Sequence, residues 1–103
     1  MQHDVFANPA ARTRGAFPFL VLLQADLAAD GELRIIAPLV NAAGTSDAGG
    51  KLLPAVSYGG RAYRVVLDMI TSVPKTVLRE PLGSVATYRD EITRGIDGLF
   101  TGV

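Results

Sequence analysis

The sequence offers few groups able to do covalent chemistry. Cysteine is absent, which excludes thiol nucleophiles, disulfides and Cys-ligated zinc or iron–sulfur sites. His3 is the single histidine, so a metal site would need carboxylates alone or carboxylates with that imidazole. No nucleophile-elbow motif supports a Ser-His-Asp arrangement through His3. Its place at the start of a strand predicts a surface or partly packed side chain. Asp26 and Asp30 have the spacing of one helix face, where paired carboxylates could share acid and base work. They fall in a turn region, however, and read as a solvated pair. Gly44 to Lys51 resembles a phosphate-binding loop only superficially. Thr45 stands at its first glycine position, and Leu52 replaces the Ser/Thr after the lysine. Arg12, Arg14, Arg61, Arg64, Arg89 and Arg94 could contact phosphates, but ten acidic residues balance ten basic ones. A nucleic-acid binder normally carries a basic excess, so no direct nucleic-acid partner is expected. No cofactor, metal ligand set or catalytic residue emerges.

The unusual feature is the end, Phe100-Thr101-Gly102-Val103. Chain ends are usually polar and frayed, whereas this one stays apolar after an amphipathic segment. Two readings are open: Phe100 and Val103 pack on the core, or they lie in a dimer seam or a partner's groove.

The elements that would position these residues are mostly strands. The chain of 103 residues is about half hydrophobic, which predicts one folded domain over 1–103. Met1-Gln2-His3-Asp4 supplies no basic leader start. The longest apolar run, Phe17 to Leu23, contains Pro18 and falls far short of the roughly 20 residues of a membrane span. A cytoplasmic protein without a membrane partner is therefore expected. Strands are predicted over Asp4 to Asn8, over Phe19 to Gln24 (buried on both faces), and over Leu33 to Val40. Pro38 inside the last implies an edge strand or a bulge. Further strands are expected over Leu52 to Tyr58, Arg61 to Leu67 and Thr76 to Arg79. Gly59-Gly60 links two of them as a tight hairpin. Asp30-Gly31 reads as a turn. Residues 9–16 read as a mobile loop carrying two arginines, and 41–51 as the least ordered stretch.

One helix is expected at the C-terminus, capped by Thr87 or Ser84, with Asp90 and Glu91 in its first turn. Tyr88, Ile92, Ile96, Leu99 and Phe100 fall on one stripe. Asp90 and Arg94 form a favourable i,i+4 pair. Gly95 and Gly98 imply close packing there, or fraying before Leu99.

Several segments, in this order and at this spacing, resemble the CcdB family of plasmid-type toxins. They are Met1-Gln2 followed by Val5; Gln24-Ala25-Asp26-Leu27; Arg34-Ile35-Ile36-Ala37-Pro38-Leu39; and Leu53-Pro54-Ala55-Val56. Asp68-Met69, Ser72-Val73-Pro74, Arg89 with Ile92 and Ile96, and finally Phe100, Gly102 and Val103 complete the match. The resemblance implies a mainly β (α+β) fold, an SH3-like antiparallel barrel with a C-terminal α-helix. It implies a homodimer that performs no covalent chemistry. Such a dimer wedges into the A subunit of DNA gyrase and traps the complex that holds cleaved DNA. Carried over by position, the gyrase-facing residues would be Leu27, Ala28, Asp97, Phe100, Thr101, Gly102 and Val103. A cognate CcdA-like antitoxin would fold onto an overlapping surface that includes Arg12, Thr13 and Arg14. The family places a Trp before the terminal Gly; here the residue is Thr101, and the chain contains no Trp. An aromatic–arginine anchor at that point dominates an interface, and threonine does not supply it. A toxin fold with a different or lost target is the alternative this substitution raises. An endoribonuclease of the same barrel is a further alternative, opposed by zero net charge and a lone histidine.

Overall fold

A computed structural model describes residues 1–24, 31–44 and 53–101. Among these residues, seven antiparallel strands form one sheet: β1 (Asp4–Ala7), β2 (Phe19–Leu22), β3 (Leu33–Asn41), β4 (Ala55–Tyr58), β5 (Arg61–Val65), β6 (Thr71–Pro74) and β7 (Gly83–Ser84). The order is β4-β5-β3-β2-β1-β7, with β6 also paired to β3. The two ends of this order meet. A Cβ placed on Gly83 of β7 would lie 2.7 Å from Tyr58 Cε1 of β4. The sheet therefore curls into a nearly closed barrel, the mainly β architecture with one C-terminal helix that the sequence implies. That helix, α1 (Arg89–Thr101), follows a 3₁₀ turn over Ala86–Tyr88.

Alternation along the strands splits the apolar side chains between two faces. Val5, Val21, Ala37, Leu39, Val65 and Leu67 pack together with Val56, Val85 and Ile92 of α1. Phe6, Leu20, Leu22 and Ile36 point the other way, beneath Val73 and Leu78. Each fully buried aliphatic side chain contributes about 1.5–3 kcal/mol, so the sheet is anchored from both sides. The run at 19–24 was expected to be buried on both faces, and Leu20 to Leu23 are all buried.

Gly59 and Gly60 take φ of 60° and 79°. Two consecutive left-handed residues make the tight hairpin turn whose twist matches its strands. Tyr63, Val65 and Leu67 are buried, whereas Ala62 is exposed and Arg64 half-buried; Val66, on the side of the strand that Ala62 and Arg64 share, is buried as well.

Several expectations are corrected. Pro38 lies neither on an edge nor in a bulge: β3 is central, and its register with β2 runs unbroken through Leu20↔Pro38. The Leu23 N–H bonds the Ile35 carbonyl, so alternation turns the Pro38 backbone away from β2. There its carbonyl accepts from the Val66 N–H. Its missing donor falls where β3 passes from β6, paired at 33–36, to β5, paired at 39–41. Lys75–Val77 forms a 3₁₀ turn rather than the start of a strand over 76–79. The strand lies earlier, at Thr71–Pro74, where Val73 is extended before its proline. β1, β2 and β5 end sooner than expected, at Ala7, Leu22 and Val65. Neither expected cap holds the helix from its own first position. Ser84 Oγ accepts from the Ala86 N–H at 3.0 Å and tightens the 3₁₀ turn leading in, while Thr87 lies within that turn. Arg94 pairs with Glu91 at 3.6 Å rather than with Asp90.

Candidate functional site

The first candidate surface is the 9–16 loop. It is not the loose connection expected from its composition. Two successive turns run through it: Thr13 and Arg14 donate to the Ala10 carbonyl, and Ala16 and Phe17 donate to that of Thr13. Asn8 ties these turns to the barrel. Its Nδ2 donates to Thr13 Oγ1 at 3.0 Å and to the Phe17 carbonyl at 2.8 Å. Its Oδ1 accepts from the Ala10 N–H at 3.0 Å. The Arg14 Nε donates to the Asn8 carbonyl and its Nη2 to that of Pro9, both at 3.1 Å. Arg12, Thr13 and Arg14 are all exposed, but only Arg12 extends without a role in the loop's own bonding. Sequence reasoning read Asn8 as the last residue of a strand. The available signal was the Asn8-Pro9 pair, a turn-initiating dipeptide.

Beside this loop opens an apolar groove of about 250 Å³. Pro9, Ala10, Thr13 and Phe17 form one wall; Leu20, Ile36 and Pro38 form the floor; Met69, Thr71 and Val73 form the other wall. Leu20, Ile36 and Val73 belong to the cluster on the face away from α1. Nothing in the linear spacing of these residues announces the groove. They come together only through β2–β3 and β3–β6 pairing.

The second candidate surface is the far end of α1. Ile92 is fully buried and Tyr88 and Ile96 pack beside it, so the expected stripe holds over those turns. Gly95 is also buried, in line with close packing at that point, and the helix runs to Thr101 without ending before Leu99. Phe100, though on the stripe by spacing, is not part of the core and is 79% exposed. Of the two readings of the chain end, core packing therefore fails for Phe100. Asp97 is exposed one turn earlier on the same helix. Thr101 is the last helical residue. Leu27, Ala28, Gly102 and Val103 lie outside the described residues, as do Asp26, Asp30 and the 45–52 stretch. The structure thus brings Asp97, Phe100 and Thr101 together on one helix end, and Arg12, Thr13 and Arg14 on one loop. Because α1 packs on one face of β1–β2–β3 and the groove opens on the other, these two sets do not share a face of one chain.

His3 differs from expectation. It is only 3% exposed, and its backbone takes a φ of 69°. It joins three elements, its N–H donating to the Leu22 carbonyl and its carbonyl accepting from the Val85 N–H. Burial, and then the nearby Arg89 guanidinium, hold its pKa below the ordinary value of 6.5. No cluster of three or more His, Asp or Glu suited to a metal ion occurs among the described residues. Among them, no helix is long and apolar enough to cross a membrane.

A family model described as CcdB protein matches residues 2–102 of the chain. No curated protein matches it.

Proposed function

The chain belongs to the CcdB family, whose members are toxins of toxin–antitoxin systems, and on that premise we propose that it acts by binding the A subunit of DNA gyrase. In this reading it is a cytoplasmic homodimer and not an enzyme. It stabilises the state of gyrase that holds cleaved DNA, and so shifts a population rather than catalysing a step. The observation that carries the reading is Phe100, a large aromatic side chain 79% exposed at the end of a helix whose Ile92 is fully buried. A folded chain leaves such a group in water at a cost, which contact with a partner would relieve. Asp97, Thr101, Gly102, Val103, Leu27 and Ala28 complete the proposed gyrase-facing set. A cognate CcdA-like antitoxin would neutralise the toxin, docking at Arg12, Thr13 and Arg14.

A second reading is favoured by one specific residue. Thr101 stands where the family carries its Trp, so the same fold could be directed at a different target. Induced expression in cells with wild-type gyrase and in cells with toxin-resistant gyrase separates the two. Growth arrest with DNA breaks only in the wild-type background is expected for the first. Arrest in both backgrounds would support the second, and normal growth in both would remove the toxin reading for this chain.

A further inference from the structure

A hydrogen-bonded path runs through His3 from the barrel to the helix. The His3 N–H donates to the Leu22 carbonyl, at the end of β2, at 2.6 Å. Its own carbonyl accepts from the Val85 N–H at 2.9 Å, and the Val85 carbonyl accepts in turn from the Tyr88 N–H at 2.9 Å. Arg89, the next residue, opens α1. Val85 is fully buried and stands just before the 3₁₀ turn that carries the chain into the helix. The positive φ of His3 belongs to a turn over Met1–Asp4, closed by the Asp4 N–H on the Met1 carbonyl at 3.1 Å. A non-glycine residue in that region costs energy and persists when its surroundings hold it. Here the bonds to Leu22 and Val85 hold it from both sides.

The charges around the ring oppose a proton. Arg89 is the nearby cation, supplied by α1. In the same turn of the helix Asp90 is exposed and Glu91 pairs with Arg94 at 3.6 Å. The packed stretches Phe19 to Leu23 and Leu82 to Tyr88 contain no Asp, Glu, Lys, Arg or His. Asp4, on the ring's own turn, pairs with the Met1 amino group at 2.9 Å. No carboxylate among the described residues pairs with the imidazole. A proton there would set a second cation beside Arg89 in a site nearly closed to water, with no counter-ion for the new charge. The smallest movement that returns the ring to water is an outward swing of the Met1–Asp4 turn. That swing breaks the bond to Val85 and leaves the start of α1 without its anchor.

We propose that His3 is an acid-operated latch: a proton on its imidazole, repelled by Arg89, swings the Met1–Asp4 turn outward, frees Val85 and undocks the first turn of α1 while the rest of the barrel stays folded. The latch acts through the buried side of α1 and requires no contact with gyrase or antitoxin. Asp97 and Phe100 ride on the same helix, so their placement against the barrel changes when it opens.

The test uses the full chain. His3 is the single histidine, so the NMR signal of its imidazole reads the proton directly. Residue-resolved hydrogen exchange, from neutral pH down to about 5 and so above most carboxylate titration, reads the opening. The imidazole is expected to titrate below 6.5. As the pH falls below that value, opening at the Val85 and Tyr88 amides should rise by up to about tenfold per pH unit, with little response to dilute urea. The Val65 and Val66 amides, bonded to the Pro54 and Pro38 carbonyls, should exchange through an opening that urea promotes strongly. Arg89→Gln should move the imidazole titration up toward 6.5 and weaken the acid response. His3→Asn should make the opening at Val85 level with pH. Arg89 is exposed, so Arg89→Gln carries the test even if the His3 variant folds poorly. The same urea dependence at Val85, Tyr88, Val65 and Val66 at every pH would mean global unfolding alone and overturns the latch. An imidazole that titrates at or above 6.5 overturns it too, as does a titration that Arg89→Gln leaves in place.

Discussion

Asn8 Nδ2 donates to Thr13 Oγ1 at 3.0 Å, and this bond fixes the 9–16 loop to the end of β1. Only one orientation of the amide satisfies the whole set. The oxygen faces the Ala10 N–H, and the nitrogen faces two acceptors, Thr13 Oγ1 and the Phe17 carbonyl. A single side chain of low exposure therefore carries the wall of the groove.

Asn8→Ala should destabilise the fold by about 2–4 kcal/mol, because three hydrogen bonds go and their former partners lose satisfaction in a partly buried site. Thr13→Ala removes one of the three and should cost about 1 kcal/mol. Chemical denaturation gives both values. Amide hydrogen exchange should show faster opening at Arg14, Ala16 and Phe17 in Asn8→Ala. Unchanged exchange there would mean that the turn bonds hold the loop without Asn8.

Gly83 and Tyr58 close the barrel, and the closure leaves no room for a methyl group. A Cβ at Gly83 would approach Tyr58 Cε1 to 2.7 Å. Tyr58 is itself set edge-on to Phe19, with ring centroids 5.3 Å apart. Gly83→Ala should cost about 1–3 kcal/mol through displacement of that ring. Combined with Tyr58→Ala, the second change should cost clearly less than it does alone, since the clash has gone. Additive losses in a double-mutant cycle would place the strain elsewhere.

His3 makes the stability of the fold depend on pH. Its pKa is lowered in the folded chain, first by burial and then by Arg89. The unfolded chain, with an ordinary value near 6.5, therefore takes up the proton first as the medium is acidified. The contribution of neutral His3 is complete above about 6.5 and is lost as pH falls from there through the lowered folded value. His3→Asn keeps a residue that tolerates the left-handed backbone at φ 69° but does not titrate. Urea midpoints measured from neutral pH down to the start of carboxylate titration should fall for the natural chain and stay nearly level for His3→Asn. Parallel curves would show that His3 does not carry the effect.

What the sequence revealed, and what it hid, divides along the range of the interactions. Gly59-Gly60 announces its turn because the steric requirement is local: only residues free to take positive φ make it easily. The helix announces itself through the spacing of Tyr88, Ile92 and Ile96. Pro38 misled for the opposite reason. Its missing donor is harmless only because two different strands share the far side of β3, which is a property of the whole sheet. Asn8 and the groove were hidden in the same way, since Phe17, Ile36 and Met69 meet only through strand pairing. Phe100 fits the stripe by spacing yet leaves the core, because eight residues of helical rotation carry it to the margin of the side that buries Ile92, while Leu99 stays half-buried.

The contrast between Ile92 and Phe100 gives the sharpest separation of folding from function. Both fall on the apolar stripe of α1, but one is fully buried and the other is 79% exposed. Ile92→Ala should destabilise by about 2–5 kcal/mol, as for other buried aliphatic side chains, and should reduce every activity of the protein in proportion. Phe100→Ser should change stability by about 0.5 kcal/mol or less, because the ring contributes little to the core. If the helix end meets a target, Phe100→Ser should nevertheless abolish growth arrest at equal expression, while leaving antitoxin affinity unchanged. Thr101→Trp tests the same surface in the other direction. Placing the ring of the family pattern beside Phe100 should raise toxicity toward cells with wild-type gyrase and not toward cells with resistant gyrase. Toxicity indifferent to both changes, in proteins of unchanged melting temperature, would remove the end of α1 from the mechanism.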